Sequence, residues 1–216
     1  MLEPVEQWAR AQLEQKNAAR ERALADSREL IRHCANSIRA VHRGELARAT
    51  ELRASARQLS QQLTRDLAPH PDLYYSGYVQ DAQKEYVEAC MTYALVAAEP
   101  LPGPEQLGVA VAPFLNGLAE AVGELRRYIL DQLRQGRLER CEEILSTMDE
   151  IYSLLVTMDY PDALTGGLRR TTDATRGIME KTRGDLTFAL RQRDLEQALA
   201  RFERRVGGEA AQNASA

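Results

Sequence analysis

Apolar residues recur at intervals of three and four along most of the chain, the period at which side chains return to one face of an α-helix rather than alternate across a strand. Leu24, Ile31, Cys34, Ile38 and Val41 make the stripe of a first helix that runs to about residue 42, with Gly44 as its C-terminal cap. A second stripe holds Leu52, Ala56, Leu59, Leu63 and Leu67. A third holds Val79, Ala82, Tyr86, Cys90 and Tyr93. The fourth helix carries Leu115, Leu118, Val122, Leu125 and Ile129 and closes at Gly136, and the fifth carries Leu138, Cys141, Leu145, Met148 and Leu155. Proline sets the breaks, because its ring removes a backbone donor and clashes inside a helix. Pro69 with Pro71, the trio Pro100, Pro102 and Pro104, and Pro161 stand between stripes, and Pro113 falls in the first turn of the fourth helix. A sixth helix, about residues 162–190, has a stripe diluted by Thr171, Thr175 and Thr182. A seventh starts after Asp194, a good N-cap residue, and ends before Gly207 and Gly208. No run alternates with period two and no fixed-length repeat is visible. The pattern predicts an all-α bundle of about seven helices in one domain, residues 1–206, followed by a disordered tail, residues 207–216.

Composition reinforces this picture. The 216 residues suffice for one sizeable core, and 44% are hydrophobic but only 6% aromatic, the usage of a helix-rich chain. A formal net charge of −4 excludes a uniformly basic nucleic-acid binder and leaves room for a segregated basic stripe. Cys34, Cys90 and Cys141 are odd in number, far apart and outside any CxxC pattern, so neither a disulfide framework nor a zinc site is expected. No window approaches the ~18 apolar residues of a membrane span, and MLEPVEQWAR lacks the apolar core of a signal peptide. A soluble, cytoplasmic protein with no membrane partner is the expectation.

Much familiar chemistry is missing. There is no glycine-rich phosphate loop, and His33, His42 and His70 have no carboxylate three residues before them, which removes the Glu-x-x-His pairs of di-iron bundles. Carboxylates and arginines remain. Glu85 and Glu88, and likewise Glu120 and Glu124, are neighbours on one helix surface. They read either as solvated surface acids or as two facing helices offering oxygen ligands to Mg²⁺ or Mn²⁺, an arrangement suited to phosphodiester hydrolysis without histidine. Gly117 and Gly123 flank this surface and would permit close helix approach. Arg28, Arg32, Arg39 and Arg43 project within ~60° of one another on the first helix, with His42 adjacent. That ridge either tracks a phosphate backbone or pairs with acids of its surroundings. Tyr74, Tyr75 and Tyr78 either stack on single-stranded bases or, for at least two of them, pack.

The segment KEYVEAC, Lys84 to Cys90, resembles the Glu-Tyr-Val-Glu-Ala signature of translin-associated factor X (Trax), the nuclease subunit of the translin complex. FLNGLAEAVGELRRY, Phe114 to Tyr128, resembles that subunit's apolar-Gly-apolar-Ala-Asp segment followed by Gly-Glu-Leu. SREL at Ser27, VHRG at Val41 and MDEIYSLL at Met148 are similar to its first and fifth helices, so the likeness spans roughly residues 20–190. The resemblance implies a seven-helix translin-like fold assembling into a closed homo-oligomeric shell, or one with a translin-like partner subunit, around single-stranded RNA or DNA. It also implies a Mg²⁺- or Mn²⁺-dependent endoribonuclease whose metal acids are Glu85, Glu88 and Glu120, with Glu124 as a further catalytic acid. The residues expected to face nucleic acid are those of the ridge read from helix spacing, Arg28, Arg32, Arg39, His42 and Arg43. Translin itself lacks the Glu-Tyr-Val-Glu pair, which makes this chain more similar to the catalytic subunit. The family's third acid is Asp. Here it is Glu120, one methylene longer, so the alternative expectation is a non-catalytic binder of single-stranded RNA or DNA. A helical scaffold without a nucleic-acid role is the third.

Overall fold

Proline in the first turn starts α1 (Glu3–His42), α3 (Pro71–Tyr74) and α5 (Pro104–Leu107), where its missing donor would have no intrahelical partner in any case. The other helices are α2 (Leu46–Asp66), α4 (Gly77–Ala97), α6 (Val111–Arg134), α7 (Cys141–Val156), α8 (Asp162–Thr165) and α9 (Leu168–Asn213). These come from a computed structural model that describes the backbone of residues 1–213 and the side chains of residues 1–205. Among the described residues there is no strand. None of these helices is long and apolar enough to cross a membrane. The all-α architecture is as expected, with six long helices and three single turns filling the proline-rich breaks.

α4 and α6 form the centre. α4 packs against α1, α2 and α6, while α6 also meets α7 and α9. Val79, Ala82, Tyr86, Cys90 and Tyr93 of α4 and Leu115, Leu118, Val122, Leu125 and Ile129 of α6 are all buried, as their spacing predicts. Gly117 sets how closely the two helices approach. A Cβ there would stand 2.5 Å from the Lys84 carbonyl oxygen and 2.7 Å from Val87 Cβ, so only glycine lets α6 lie directly on α4. Gly123 has no such role, since its nearest neighbour would be Ile178 Cδ1 at 4.0 Å.

Two boundaries differ from the sequence pattern. The buried face of α1 is built largely from Ala19, Ala23, Ser27, Leu30, Cys34 and Ser37, leaving Leu24 and Ile31 only half-buried. Small residues carry that face because α2 and α4 pack closely against it. The predicted sixth and seventh helices are one. α9 runs unbroken through Asp194 and past Gly207 and Gly208 to Asn213, so the predicted N-cap lies mid-helix, and residues 214–216 of the predicted tail lie outside the described residues. Thr172, Thr175 and Thr182 sit on the buried side of α9 because each hydroxyl donates to the carbonyl four residues back, on Leu168, Thr171 and Ile178. Residues 191–205 extend beyond the bundle and are exposed throughout.

Candidate functional site

α4 presents Lys84, Glu85 and Glu88 toward α6, which presents Glu120 one turn beyond Gly117. One carboxylate oxygen each from Glu85, Glu88 and Glu120 lies within 4.8 Å of the others. All three side chains are half-buried, at the wall of a cavity of about 680 Å³ closed by the first turns of α9 through Arg170, Thr171, Thr175 and Ile178. The sequence projection turns Glu88 and Glu120 away from the core, and they line a half-open cavity between the α4–α6 pair and the first turns of α9, with the Glu120 side chain 33% exposed.

The electrostatics follow from that partial enclosure. Burial pushes the Glu88 carboxyl up to about 8, and the neighbouring Glu85, Glu120 and Glu124 add to the rise while Lys84 opposes it. Burial raises Glu85 too, with Lys84 opposing and Glu120 reinforcing. Lys84 donates from Nζ to Glu120 Oε1 at 2.8 Å. Burial is the largest single influence and favours its neutral amine, but the bond to Glu120 and the charges of Glu120, Glu85 and Asp81 together outweigh it and hold the ammonium charged. Glu124 stands apart from the trio. His42 Nε2 donates to it and Arg127 approaches to 4.0 Å, and the His42 bond holds its carboxyl below the usual range despite burial.

Three carboxylates facing one ammonium leave an excess of negative charge in a partly dehydrated pocket. The donor set is all oxygen, the kind that hard divalent cations take. Ligands on opposite sides of a Mg²⁺ ion are ~4.2 Å apart, so oxygens within 4.8 Å of one another need only a small side-chain adjustment to share one ion. The residues present fit the metal the sequence suggests, and the extra methylene of Glu120 does not keep it from the group.

The predicted basic residues are less united. His42 is turned inward with its side chain 3% exposed, bonded to Glu124 and with Nδ1 unpartnered, so it is not part of a surface ridge. Arg28, Arg32, Arg39 and Arg43 are exposed, but Arg32 pairs with Glu29, Arg39 donates to Asn36, and Arg43 forms a two-pronged pair with Glu45. Of the three tyrosines, Tyr74 and Tyr78 pack against the core and Tyr75 is exposed, lining a second cavity of about 780 Å³ that adjoins Lys84 and Glu120.

Sequence reasoning did not assign Lys84 or Asn116 a part. Asn116 is buried on α6 one turn before Glu120, and donates to the carbonyls of Thr165 at 2.7 Å and Ala112 at 2.9 Å while accepting from Thr171 Oγ1 at 2.9 Å. It ties the corner between α8 and α9 to α6 and thereby sets the cavity wall. An amide inside an otherwise apolar stripe was its signal. Arg170, one of a loose basic set on α9, borders the cavity with no carboxylate partner among the described residues.

No family model matches the chain. It is 31% identical over 194 residues to the uncharacterized protein MJ0175 of Methanocaldococcus jannaschii, an alignment covering 88% of this chain and 85% of that protein. Among solved structures it is similar to AfC3PO, both by itself and in a complex with duplex RNA, with 35% identity and a TM-score of 0.81 over 87% of this chain and 97% of that one. NeC3PO in its apo form shares the fold at 20% identity, with a TM-score of 0.78 over 88% of this chain and 98% of that one.

Proposed function

The chain belongs to the translin and translin-associated factor X family, and we propose that within it the protein is a divalent-metal-dependent endoribonuclease of single-stranded RNA, of the Trax-like kind. The observation that carries this reading is the meeting of Glu85, Glu88 and Glu120 oxygens from two helices in one partly dehydrated cavity. Mg²⁺ or Mn²⁺ held there supplies Lewis-acid polarisation of a phosphodiester. The protein's own part is to hold the acids close through Gly117, to wall one side of their cavity with α9, and to place Arg170 where a guanidinium can grip a phosphate oxygen. Lys84 orients Glu120 by its hydrogen bond. His42 fixes Glu124 beside the trio, which makes Glu124 a positioning acid in this scheme.

RNA as the ligand is supported by the duplex-RNA complex of the similar AfC3PO. The preference for single strands, in RNA or DNA, rests on the family resemblance. Arg28, Arg32, Arg39 and Arg43 can exchange their local partners for phosphates cheaply, because exposed ion pairs contribute only ~0–1 kcal/mol. Self-association into a homo-oligomer, or assembly with a translin-like subunit, completes the proposal. Exposed apolar side chains on the overhanging ends of α1 and α9, among them Val5, Trp8, Leu195, Leu199 and Phe202, support it.

One observation favours a second reading, a binder that does not cut. The ammonium of Lys84 already sits on Glu120, the position where the family pattern has the shorter Asp, and so competes there with a metal.

The experiment is incubation of the purified protein with labelled single-stranded RNA in Mg²⁺, in Mn²⁺ and in EDTA, beside Glu85→Ala/Glu88→Ala. Outer partners of metal ligands are commonly worth 10–100-fold, so loss of two ligands should reduce cleavage by about 100-fold or more, with RNA affinity nearly unchanged. Intact but retarded RNA under every condition supports the binder. Cleavage undiminished in the double variant removes the acid cluster from the chemistry.

A further inference from the structure

α2, α4 and the segment that holds α5 line a further pocket, separate from the carboxylate cavity. It has a volume of about 460 Å³, with Thr50, Arg53, Arg57, Tyr86, Pro102 and Leu107 in its walls. Arg53 is half-buried, its guanidinium carbon 3.5 Å from the centroid of the Tyr93 ring and its Nε buried without a hydrogen-bond partner. Arg57, one turn on, faces the same space and is exposed.

Neither arginine pairs with a carboxylate among the described residues, although Arg43 and Arg48 nearby pair with Glu45 and Glu51. Two other acids of this region form no ion pair with Arg53 or Arg57. Glu99 accepts from the Tyr93 hydroxyl at 3.4 Å, and Glu105 lies in the adjoining cavity of about 420 Å³ that Arg57 also borders. A cation held partly out of water normally keeps a counter-ion or a hydrogen-bonded acceptor. Around Arg53 the Tyr93 ring face, the Cys90 thiol and an open pocket stand in its place.

From this we infer that the pocket binds a phosphate group carried on a ligand of mononucleotide size, with Arg53 and Arg57 holding the phosphate. Two guanidiniums one helical turn apart match the charge and several acceptor oxygens of a phosphate monoester, and Arg binds such oxygens in pairs. The volume is in the range of small-molecule sites and far exceeds what a free phosphate needs. Of the three apolar walls Tyr86, Pro102 and Leu107, Pro102 is the most accessible to a base, since Tyr86 and Leu107 are 2% and 8% exposed. Arg53 is preorganised by its place on Tyr93, while Arg57 is free to close over the ligand. This inference does not depend on the carboxylate cluster.

The test is calorimetric titration of the full-length protein with AMP, adenosine and inorganic phosphate, repeated with Arg57→Gln, Arg53→Gln and Glu85→Ala/Glu88→Ala. AMP should bind, adenosine should bind at least tenfold more weakly, and each arginine substitution should weaken AMP at least tenfold. The double glutamate variant should bind AMP like wild type. Because Arg57 is exposed, its substitution leaves the fold intact and decides the matter even if Arg53→Gln fails to fold. Absence of AMP binding, or AMP binding indifferent to Arg57→Gln, overturns the inference. Inorganic phosphate binding as tightly as AMP overturns the mononucleotide assignment. So does a single-stranded RNA whose affinity falls with Arg57→Gln in a protein that shows no response to AMP.

Discussion

Glu88 shares its pocket with two other carboxylates and a single ammonium, and its carboxyl is pushed up to about 8 by burial first and by those neighbours second. Between its unfolded value of 4.5 and about 8 the native state holds a proton that the unfolded chain has released, so raising the pH through this window lowers stability. Glu85 acts in the same direction. Glu124 acts oppositely. Its lowered carboxyl adds stability that is present above 4.5 and lost as the pH falls below that range. In chelator-containing buffer, the urea midpoint should therefore decline from about pH 5 to about pH 8.5. Glu88→Gln should flatten the decline and added Mg²⁺ should oppose it, whereas an unchanged slope in Glu88→Gln would mean that this carboxyl is not the group that titrates. At this scale the sequence was informative where chemistry is local. Spacing made Glu85 and Glu88 neighbours and left a solvated or a metal-binding reading open, and it was the resemblance of the two acidic segments to a known signature that nominated the trio. Lys84 was not legible because its partner is 36 residues away on another helix. For the arginine ridge the sequence left two readings open, and the structure pairs Arg32 with Glu29 and Arg43 with Glu45, close in sequence, while His42 turns to a carboxylate 82 residues distant.

The seam between α4 and α6 depends on one missing side chain. Gly117→Ala puts a methyl group 2.5 Å from a backbone oxygen that cannot move without its helix, so the two helices must part. The expected cost is about 1–3 kcal/mol, the usual range for overpacking, together with loss of metal affinity as Glu120 withdraws from Glu85 and Glu88. Gly123→Ala is the control. With its nearest neighbour 4.0 Å away, it should be neutral or stabilising by up to ~1 kcal/mol through helix propensity. Denaturant unfolding of the two variants side by side checks both, and equal effects would show that the helices do not touch as described. Element positions were largely legible, because the periods of α4 and α6 are carried by large apolar residues. The phase of α1 was not, since alanine and serine form its buried face and hydrophobicity alone cannot see them. Nor was the continuity of α9, where buried threonines satisfied within the helix and an exposed Asp194 resemble a break.

The whole molecule ends in overhangs. Beyond the bundle, α9 shows Leu195, Leu199 and Phe202, with Phe188 one heptad before Leu195 and each more than half exposed, and these project along one line of the helix. If that line seats a second copy of the chain, Leu195→Glu/Leu199→Glu should give a smaller particle by light scattering with helical content unchanged. A wild-type particle size would assign assembly to a different surface. The 46 residues of α9 form a rod of ~70 Å at 1.5 Å per residue. Its first turns close over Glu85, Glu88 and Glu120, and its outer part meets whatever stands next to the protomer. Long helices curve gently and kink sharply only at identifiable breaks, so a tilt of a few degrees imposed on the outer part would be carried, as by a lever, to the wall inside. An isolated subunit has only its own bundle to brace that wall. Crowding by neighbours can thus retune the aperture above the acids without any neighbour reaching them.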